Sequence, residues 1–303
     1  MTRLLLTGGN GFVGQHLQRH LLQAMPEVKI LAPELDITDF YATNRLIETT
    51  KPDALLHLAA ISTPAKAASA PDHAWAVNVQ GTLNLARSVL AHAASCRFIF
   101  ISSAEVYGRA FLAGMPVTEE TPPEPLTPYA GTKAEAEAAL AALPGLRLLR
   151  LRPTNHTGPG QTPAFVVPAF ARQIARIEEG LQPPILTTGN LNARRDFLDV
   201  QDVCAAYARA LTLPSFVPGE ILNIGAGATQ RIGDVLETLL GLSKARIRVE
   251  ADPAKQRASE IPAAEIDTTR AKARLGWAPR IPIQETLSAT LDFWRAAEAV
   301  AQE

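Results

Sequence analysis

Tyr129 and Lys133 stand four residues apart in Tyr-Ala-Gly-Thr-Lys, and on a helix this spacing places both side chains on one face. A tyrosine can give a proton to a carbonyl or take one from an alcohol, and a neighbouring lysine would lower the pKa of the phenol. The same lysine could hold a nicotinamide ribose. Ser103 precedes the pair and could hydrogen-bond the reacting oxygen. Together these residues indicate a hydride-transfer site.

Glu105 follows Ser103 by two residues. A carboxylate there could act as a base over a substrate ring, bind a substrate hydroxyl, or cap the loop without touching the substrate. The sequence leaves all three roles open.

A glycine turn opens the chain in Thr7-Gly-Gly-Asn-Gly-Phe-Val-Gly14. It follows a predicted strand and begins a predicted helix, the context of a dinucleotide-binding turn. Gly8 permits the tight turn, Gly11 lets a pyrophosphate approach the positive helix end, and Gly14 lets the helix pack on the sheet. Phe12 and Val13 complete the turn and are also predicted to contact the cofactor.

The stretch after the second predicted strand favours NAD(H) slightly over NADP(H). Glu34 could accept hydrogen bonds from the adenosine ribose, or it could be a solvated loop acid. No arginine lies within residues 31–36 to bind a 2′-phosphate.

These residues need a scaffold, and the first half of the chain alternates apolar runs with helical patterns. We predict strands at Arg3–Leu6, Val28–Ala32, Ala54–Leu58, Arg97–Ser102, Arg147–Arg152 and Ile221–Ile224, and helices at Phe12–Met25, Asp39–Thr49, Trp75–Ala94, Tyr129–Leu143 and Asp196–Leu213. The pattern predicts an α/β fold with a Rossmann-type, doubly wound parallel sheet and a smaller, mostly helical C-terminal substrate lobe. The nucleotide-binding domain would comprise residues 1–153, with 194–225 rejoining it. Residues 154–193 and 226–303 would form the substrate lobe.

Composition narrows the class of partner. The chain has 303 residues, 47% of them hydrophobic, and a net charge of −1, which gives no reason to expect a nucleic-acid or membrane partner. Its two cysteines are far apart and its histidines show no metal-ligand spacing, so we expect no disulfide and no metal. The short apolar run before Gly8 is too brief for a signal peptide, and we expect a cytoplasmic protein.

With these residues in hand, the chain resembles the extended short-chain dehydrogenase/reductase family over nearly its whole length. Further matching motifs are Leu35-Asp36-Ile37-Thr38-Asp39, His57-Leu58-Ala59-Ala60, Asn78-Val-Gln-Gly-Thr82 and Gly276-Trp-Ala-Pro279. The resemblance implies that Asp36 and Ile37 contact the adenine, and that Leu58, Ala59, Ala60 and Asn78 line the cofactor site. It also implies a homodimer in which Trp75–Ala94 and Tyr129–Leu143 form a four-helix bundle.

Three longer stretches are similar to the members that reduce GDP-4-keto-6-deoxy-D-mannose. They are residues 152–161, 189–197 and 256–262, and the resemblance implies substrate contacts from Asn155, Val166, Arg195, Arg257 and Glu260. The implied reaction is NAD(P)H-dependent reduction of a GDP-linked 4-keto-6-deoxyhexose to a product such as GDP-D-rhamnose.

Two other functions stay open. One is a 4,6-dehydratase or 4-epimerase with tightly bound NAD(P), and the other is a non-catalytic regulator that senses NAD(P). Ala104 argues against a dehydratase, because resembling dehydratases carry a protic residue just before the glutamate, and alanine cannot donate a proton. The intact Ser103, Tyr129 and Lys133 argue against a regulator.

Overall fold

The computed structural model describes residues 2–255 and 261–300. Its strands are β1 (Arg3–Thr7), β2 (Lys29–Leu31), β3 (Ala54–His57), β4 (Arg97–Ile101), β5 (Arg147–Pro153), β6 (Asn155–Thr157), β7 (Ile185–Thr188), β8 (Arg194–Asp199), β9 (Glu220–Ile224), β10 (Thr229–Arg231), β11 (Arg248–Ala251) and β12 (Ala263–Ala264). Its α-helices are α1 (Phe12–Ala24), α2 (Phe40–Thr50), α3 (Pro64–Ser69), α4 (Pro71–Trp75), α5 (Thr82–His92), α6 (Pro128–Ala141), α7 (Val166–Glu178), α8 (Val200–Leu211), α9 (Ile232–Gly241), α10 (Thr269–Leu275) and α11 (Ile283–Val300). A π-helical turn, Ala76–Gly81, joins α4 to α5, and 3-10 helix covers Ala104–Ala113 and Pro253–Lys255.

Six strands form the main sheet in the order β2-β1-β3-β4-β5-β9, and every pair in it is parallel. The chain runs outward from β1 to β2 and then crosses to β3 on the other side of β1. This doubly wound order confirms the predicted fold class. Ligands of such sheets bind beyond the carboxyl ends of the strands, where the strand order reverses.

Both faces of the sheet are covered by helices, because successive residues of each strand point to opposite sides. In β1, Leu4 and Leu6 pack with α1 and α8 in one apolar cluster, and Leu5 packs with α2, α5 and α6 in the other. Burial on both sides explains why the strands read as nearly continuous apolar runs.

Outside the main sheet and the helices that cover it lies another apolar cluster, in which α7, α9 and α11 pack together beside β7. This region also contains strands that the mostly helical prediction omits. β7 pairs with β11, and β8 pairs with β6, β10 and β12. The lobe boundaries proposed from the sequence stay a prediction.

Two predicted helices need correction. Residues 196–199 belong to β8, and α8 begins only at Val200, because the side chain of Asp199 accepts a hydrogen bond from the amide of Gln201 at 2.7 Å and caps that helix. The helical segment predicted at Trp75–Ala94 begins earlier, at Pro71, and passes through the π-helical turn. The other main-sheet elements lie within a few residues of their predicted bounds.

Candidate active site

A cavity of about 1090 Å³ lies at the carboxyl ends of β1, β3, β4 and β5. This volume lies slightly above the range typical of ligand sites, roughly 300–1,000 Å³. It is lined by the predicted catalytic residues Ser103, Glu105, Tyr129 and Lys133, and by the predicted cofactor residues Gly8, Gly11, Phe12, Val13, Gly14, Leu58, Ala59 and Ala60. Residues that are far apart in the sequence therefore line the same cavity.

The glycine turn needs its glycines at two positions. Gly8 has a φ of +73°, and a Cβ there would lie 2.7 Å from the amide nitrogen of Ala59. A Cβ at Gly14 would overlap the carbonyl oxygen of Gly8. No side chain caps the start of α1, and its first residues line the cavity, so its first amides are available to an anion.

Asp36 and Ile37 do not line the cavity. The exposed carboxylate of Asp36 accepts hydrogen bonds from the amide and hydroxyl of Thr38, at 2.9 and 2.7 Å, and these bonds lower its pKa. Ile37 is buried, and its carbonyl accepts a 3.0 Å hydrogen bond from Asn84. Their contact with a cofactor stays a prediction.

Asn78 is also held away from the cavity. Its side chain accepts a hydrogen bond from the amide of Ile61 at 2.8 Å and donates to the Ile61 carbonyl at 3.2 Å and to Thr132 at 2.9 Å. The residue therefore fixes the loop that follows β3 against α6. A direct cofactor contact from Asn78 stays a prediction.

Tyr129 is buried beside Ser103 at the start of α6. Burial raises the pKa of its phenol, the negative charge of Glu105 raises it further, and a hydrogen bond with Ser103 opposes both effects. The pKa of Tyr129 is thus raised, and the expectation that it would be lowered is wrong. Tyr129 is fully protonated at neutral pH, and this is the form that donates a proton.

Lys133 lies one helical turn further along α6. Its ammonium donates a 2.7 Å hydrogen bond to the carbonyl of Ile101 and lies 4.8 Å from the centre of the Phe100 ring. Burial lowers the pKa of Lys133 to about 8, and the charge of Glu137 acts in the opposite direction. The lysine can thus lose its charge within a range of pH in which enzymes are assayed.

Glu137 continues the same face of α6 and binds a buried arginine on β5. Arg152 donates to both carboxylate oxygens, at 2.9 and 2.6 Å, and its guanidinium lies 4.7 Å from the centre of the Tyr107 ring. This bidentate pair fixes α6 to the sheet. Sequence reasoning missed it, although Glu137 falls four residues after Lys133.

The substrate residues predicted by resemblance fall into two groups. Asn155, Val166 and Arg195 line the cavity, and Arg195 donates 2.8 Å hydrogen bonds to the carbonyls of Arg194 and Ile261. Arg257 and Glu260 lie outside the described residues.

The cavity also contains polar residues that were not among the predicted site residues. Among the described residues, seven have a buried side-chain nitrogen or oxygen without a hydrogen-bond partner, and Ser102, Thr157, Gln161 and Tyr207 are four of them that line this cavity. Unpartnered buried polar atoms are unfavourable unless a ligand or water meets them. They suit a polar ligand such as a dinucleotide. The sequence did not indicate a role for Tyr207 in the site, because a single aromatic residue on an apolar helix face is typical of a core residue.

The described residues contain no group of histidine, cysteine, aspartate and glutamate side chains that could hold a metal ion. Within the described part of the chain, no helix combines the length and apolarity needed to cross a membrane.

A parallel doubly wound sheet, a glycine turn at an uncapped helix end, and a serine, tyrosine and lysine at one cavity define a nicotinamide-nucleotide oxidoreductase. The profile of the NAD dependent epimerase/dehydratase family matches residues 4–225. The chain belongs to that family.

Similar proteins match nearly the whole length of the chain. The GDP-6-deoxy-D-mannose reductase of Pseudomonas aeruginosa is 37% identical over 97% of both chains. A UDP-glucose 4-epimerase of Neisseria meningitidis serogroup B is 26% identical over 97% of both chains. The solved structure of RMD from Pseudomonas aeruginosa complexed with NADPH superposes with a TM-score of 0.90, at 36% identity, over 98% of this chain and 100% of that one. The structure of Thermus thermophilus UDP-glucose 4-epimerase with NAD gives 0.84, at 28% identity, over 97% and 99%.

Proposed function

We propose that this protein uses NAD(P)H to reduce the 4-keto group of GDP-4-keto-6-deoxy-D-mannose, giving GDP-D-rhamnose. The observation that carries the proposal is the 37% identity, over 97% of both chains, to a GDP-6-deoxy-D-mannose reductase. The serine, tyrosine and lysine that line the cavity support it, because carbonyl reduction needs a proton donor beside the nucleotide.

The bound nucleotide would supply a hydride to the carbonyl carbon. Tyr129 would donate its proton to the carbonyl oxygen as negative charge develops there, and its raised pKa keeps that proton in place at neutral pH. Ser103 would hydrogen-bond the same oxygen. Lys133 would hold the nicotinamide ribose, and its positive charge would stabilise the phenolate that remains.

Recognition of the sugar nucleotide is assigned to Asn155, Val166 and Arg195, which line the cavity. Arginine suits a diphosphate because its guanidinium can donate two parallel hydrogen bonds. We extend the proposal to Arg257 and Glu260 on resemblance alone.

We further propose that NADH is a better donor than NADPH. The support is the acid Glu34 and the absence of arginine in residues 31–36, since a carboxylate repels a 2′-phosphate. Initial rates with NADH and NADPH, measured with wild type and Glu34→Gln, test this. A preference for NADPH in both proteins contradicts it.

The decisive assay follows NAD(P)H oxidation at 340 nm with GDP-4-keto-6-deoxy-D-mannose, and identifies the product by mass and NMR. Tyr129→Phe is the negative control. Nucleotide binding without turnover of any keto sugar would support the NAD(P)-sensing regulator instead. Competition by GDP, UDP and dTDP tests the base, and equal affinities would count against a GDP-linked substrate.

A dehydratase is the nearest alternative, and Ala104 argues against it. Dehydration needs an acid that helps the leaving hydroxyl, and Ala104, which lines the cavity, has no proton to give. We therefore expect no keto sugar to form when the purified protein is incubated with GDP-mannose without added NAD(P). Formation of that product would overturn the reductase proposal.

We also propose a homodimer in which α5 and α6 pair with their copies across a two-fold axis. On α6 the outward positions Gly131, Glu135 and Ala138 include two small residues, and small residues allow close helix approach. Trp75, half exposed at the end of α4, lies at the start of the neighbouring helical segment.

A further inference from the structure

A buried chain of hydrogen bonds connects the catalytic helix to the nucleotide-binding loop. At one end, the hydroxyl of Thr132 donates to the carbonyl of Tyr129 at 2.8 Å, and Asn78 donates to that hydroxyl at 2.9 Å. Thr82 donates to the carbonyl of Asn78 at 2.7 Å. The hydroxyl of Thr82 lies 2.8 Å from Nε2 of His57.

The chain continues from the other side of the imidazole. Nδ1 of His57 lies 2.7 Å from the hydroxyl of Thr7, which in turn accepts a 3.4 Å hydrogen bond from the amide of Ala59. Ala59 is the residue against which Gly8 packs so closely that no side chain fits there. The two ends of the chain are therefore the backbone of the catalytic tyrosine and the wall of the glycine turn.

The direction of these bonds determines the tautomer of His57. A carbonyl oxygen only accepts, so the single hydroxyl hydrogen of Thr82 is used on Asn78. Nε2 of His57 must then carry a hydrogen and donate it to Thr82. In a neutral ring Nδ1 is then the acceptor, and Thr7 donates to it.

The surroundings keep this ring neutral. His57 is 1% exposed and packs against the rings of Phe98 and Phe100. Burial lowers its pKa to about 3, and the nearby charge of Lys133 lowers it further. The proton pattern therefore stays the same across the pH range in which the protein would work.

We propose that His57 is a positioning residue. Held as the neutral Nε2–H tautomer, it connects the loop beside the glycine turn to the helix that carries Tyr129, so that nucleotide binding and the position of the proton donor depend on each other. Its kinetic consequence rests on the proposed reductase function, whereas the tautomer and the nucleotide affinity can be measured without any sugar substrate. Failure of the two proposals can thus be told apart.

Nitrogen NMR of histidine-labelled protein tests the tautomer. The His57→Gln variant identifies the resonances of His57 by their loss. We expect the Nε2–H pattern to remain unchanged from about pH 5.5 to about pH 8.5, well above the lowered pKa. An Nδ1–H pattern, or titration within that range, would overturn the proposal.

Thr82→Val and Thr82→Ser form a matched pair, because valine keeps the shape of threonine and serine keeps the hydroxyl. We expect Thr82→Val to bind NADH about 10-fold more weakly and to lose a similar factor in kcat, since small misplacements are amplified in catalysis. Thr82→Ser should stay near wild type in both quantities. Equal behaviour of the two variants would refute the chain.

The double variant Thr7→Val/Thr132→Val tests transmission along the chain, because the two hydroxyls belong to opposite ends of it. If the chain acts as a unit, the loss of NADH affinity in the double variant should differ from the product of the single losses by more than about threefold. Independent losses that multiply would show that each threonine acts only locally, and would overturn the coupling.

Discussion

At the scale of single residues, burial shifts the pKa values of Tyr129 and Lys133 in opposite directions. Tyr129 keeps its proton because burial and the charge of Glu105 raise its pKa. Lys133, equally buried, holds its own proton only weakly. Both shifts arise because a low-dielectric environment disfavours the charged form of each group. A reductase benefits from this arrangement, since the phenol must be protonated before the hydride arrives.

Tyr129→Phe should remove the proton donor and leave the nucleotide site intact. We expect turnover to fall by about 100- to 10,000-fold, with NADH affinity within a factor of two or so of wild type. Tyr41→Phe makes the same chemical change at an exposed position on α2 and is the matched control. Near-normal turnover by Tyr129→Phe would exclude this tyrosine as the donor.

The lowered pKa of Lys133 predicts how nucleotide binding depends on pH. Below its pKa of about 8 the side chain is an ammonium that can donate to the ribose, and above that value the charge is lost. NADH affinity should therefore be highest below about pH 8 and fall as the pH rises, by at most about tenfold per unit.

Calorimetric titration of NADH from about pH 6.5 to about pH 9.5 checks this, because NADH lacks the titrating 2′-phosphate of NADPH. Arginine stays charged throughout that range, so Lys133→Arg should show no such fall. Lys133→Ala should bind weakly at every pH and should have little activity. A wild-type affinity that does not change across the range would contradict the assignment.

At the scale of elements, α6 has two faces with different surroundings. One face carries Tyr129, Lys133 and Glu137 toward the cavity and the sheet, and the other carries Gly131, Glu135 and Ala138 outward. Anchoring of the inner face depends on the pair between Glu137 and Arg152, whose side chains are 3% and 2% exposed. A buried charge without its partner is strongly unfavourable.

Glu137→Leu should therefore destabilise the protein by about 3–5 kcal/mol, because it leaves the Arg152 guanidinium buried without its carboxylate. The double variant Glu137→Leu/Arg152→Met should recover much of that loss. Glu135→Leu, exposed on the same helix, is the matched control and should change the free energy of unfolding by no more than about 0.5 kcal/mol. Chemical denaturation measures all three, and equal effects at positions 135 and 137 would refute the buried-pair argument.

At the scale of the whole molecule, the cavity is lined by residues of the main sheet and by residues from outside it. Its walls combine the carboxyl ends of the main sheet with residues from α7 and from the segment before α8. The dinucleotide and the sugar nucleotide would thus meet between the sheet and the helical cluster of α7, α9 and α11, with the proton donor at their junction.

The proposed dimer predicts the effect of a bulky charge on α6. Ala138→Arg should convert the dimer to a monomer, because a two-fold axis places the new arginine close to its own copy. Ala296→Arg makes the same change at an exposed position of α11 and should leave the dimer intact. Light scattering at micromolar concentration measures both masses, and a monomeric wild-type protein would end the proposal.

The amino-acid sequence determined those features of this protein that depend on short stretches of chain. The glycine spacing specified the turn before α1, because backbone geometry within seven residues decides it. The four-residue separation of Tyr129 and Lys133 placed them on one helix face for the same local reason. The alternation of apolar runs indicated a parallel sheet buried on both sides.

Only the tertiary structure decided which groups are buried together. It raised the pKa of Tyr129, where a lowered value was expected, because burial and the charge of Glu105 outweigh the hydrogen bond with Ser103. It directed the side chain of Asn78 to Ile61 and Thr132, brought Tyr207 to the cavity, and converted the predicted helical start at Asp196 into strand. Each result depends on residues that are distant in the sequence. Local sequence patterns do not determine which distant groups will exclude water or offer a hydrogen bond.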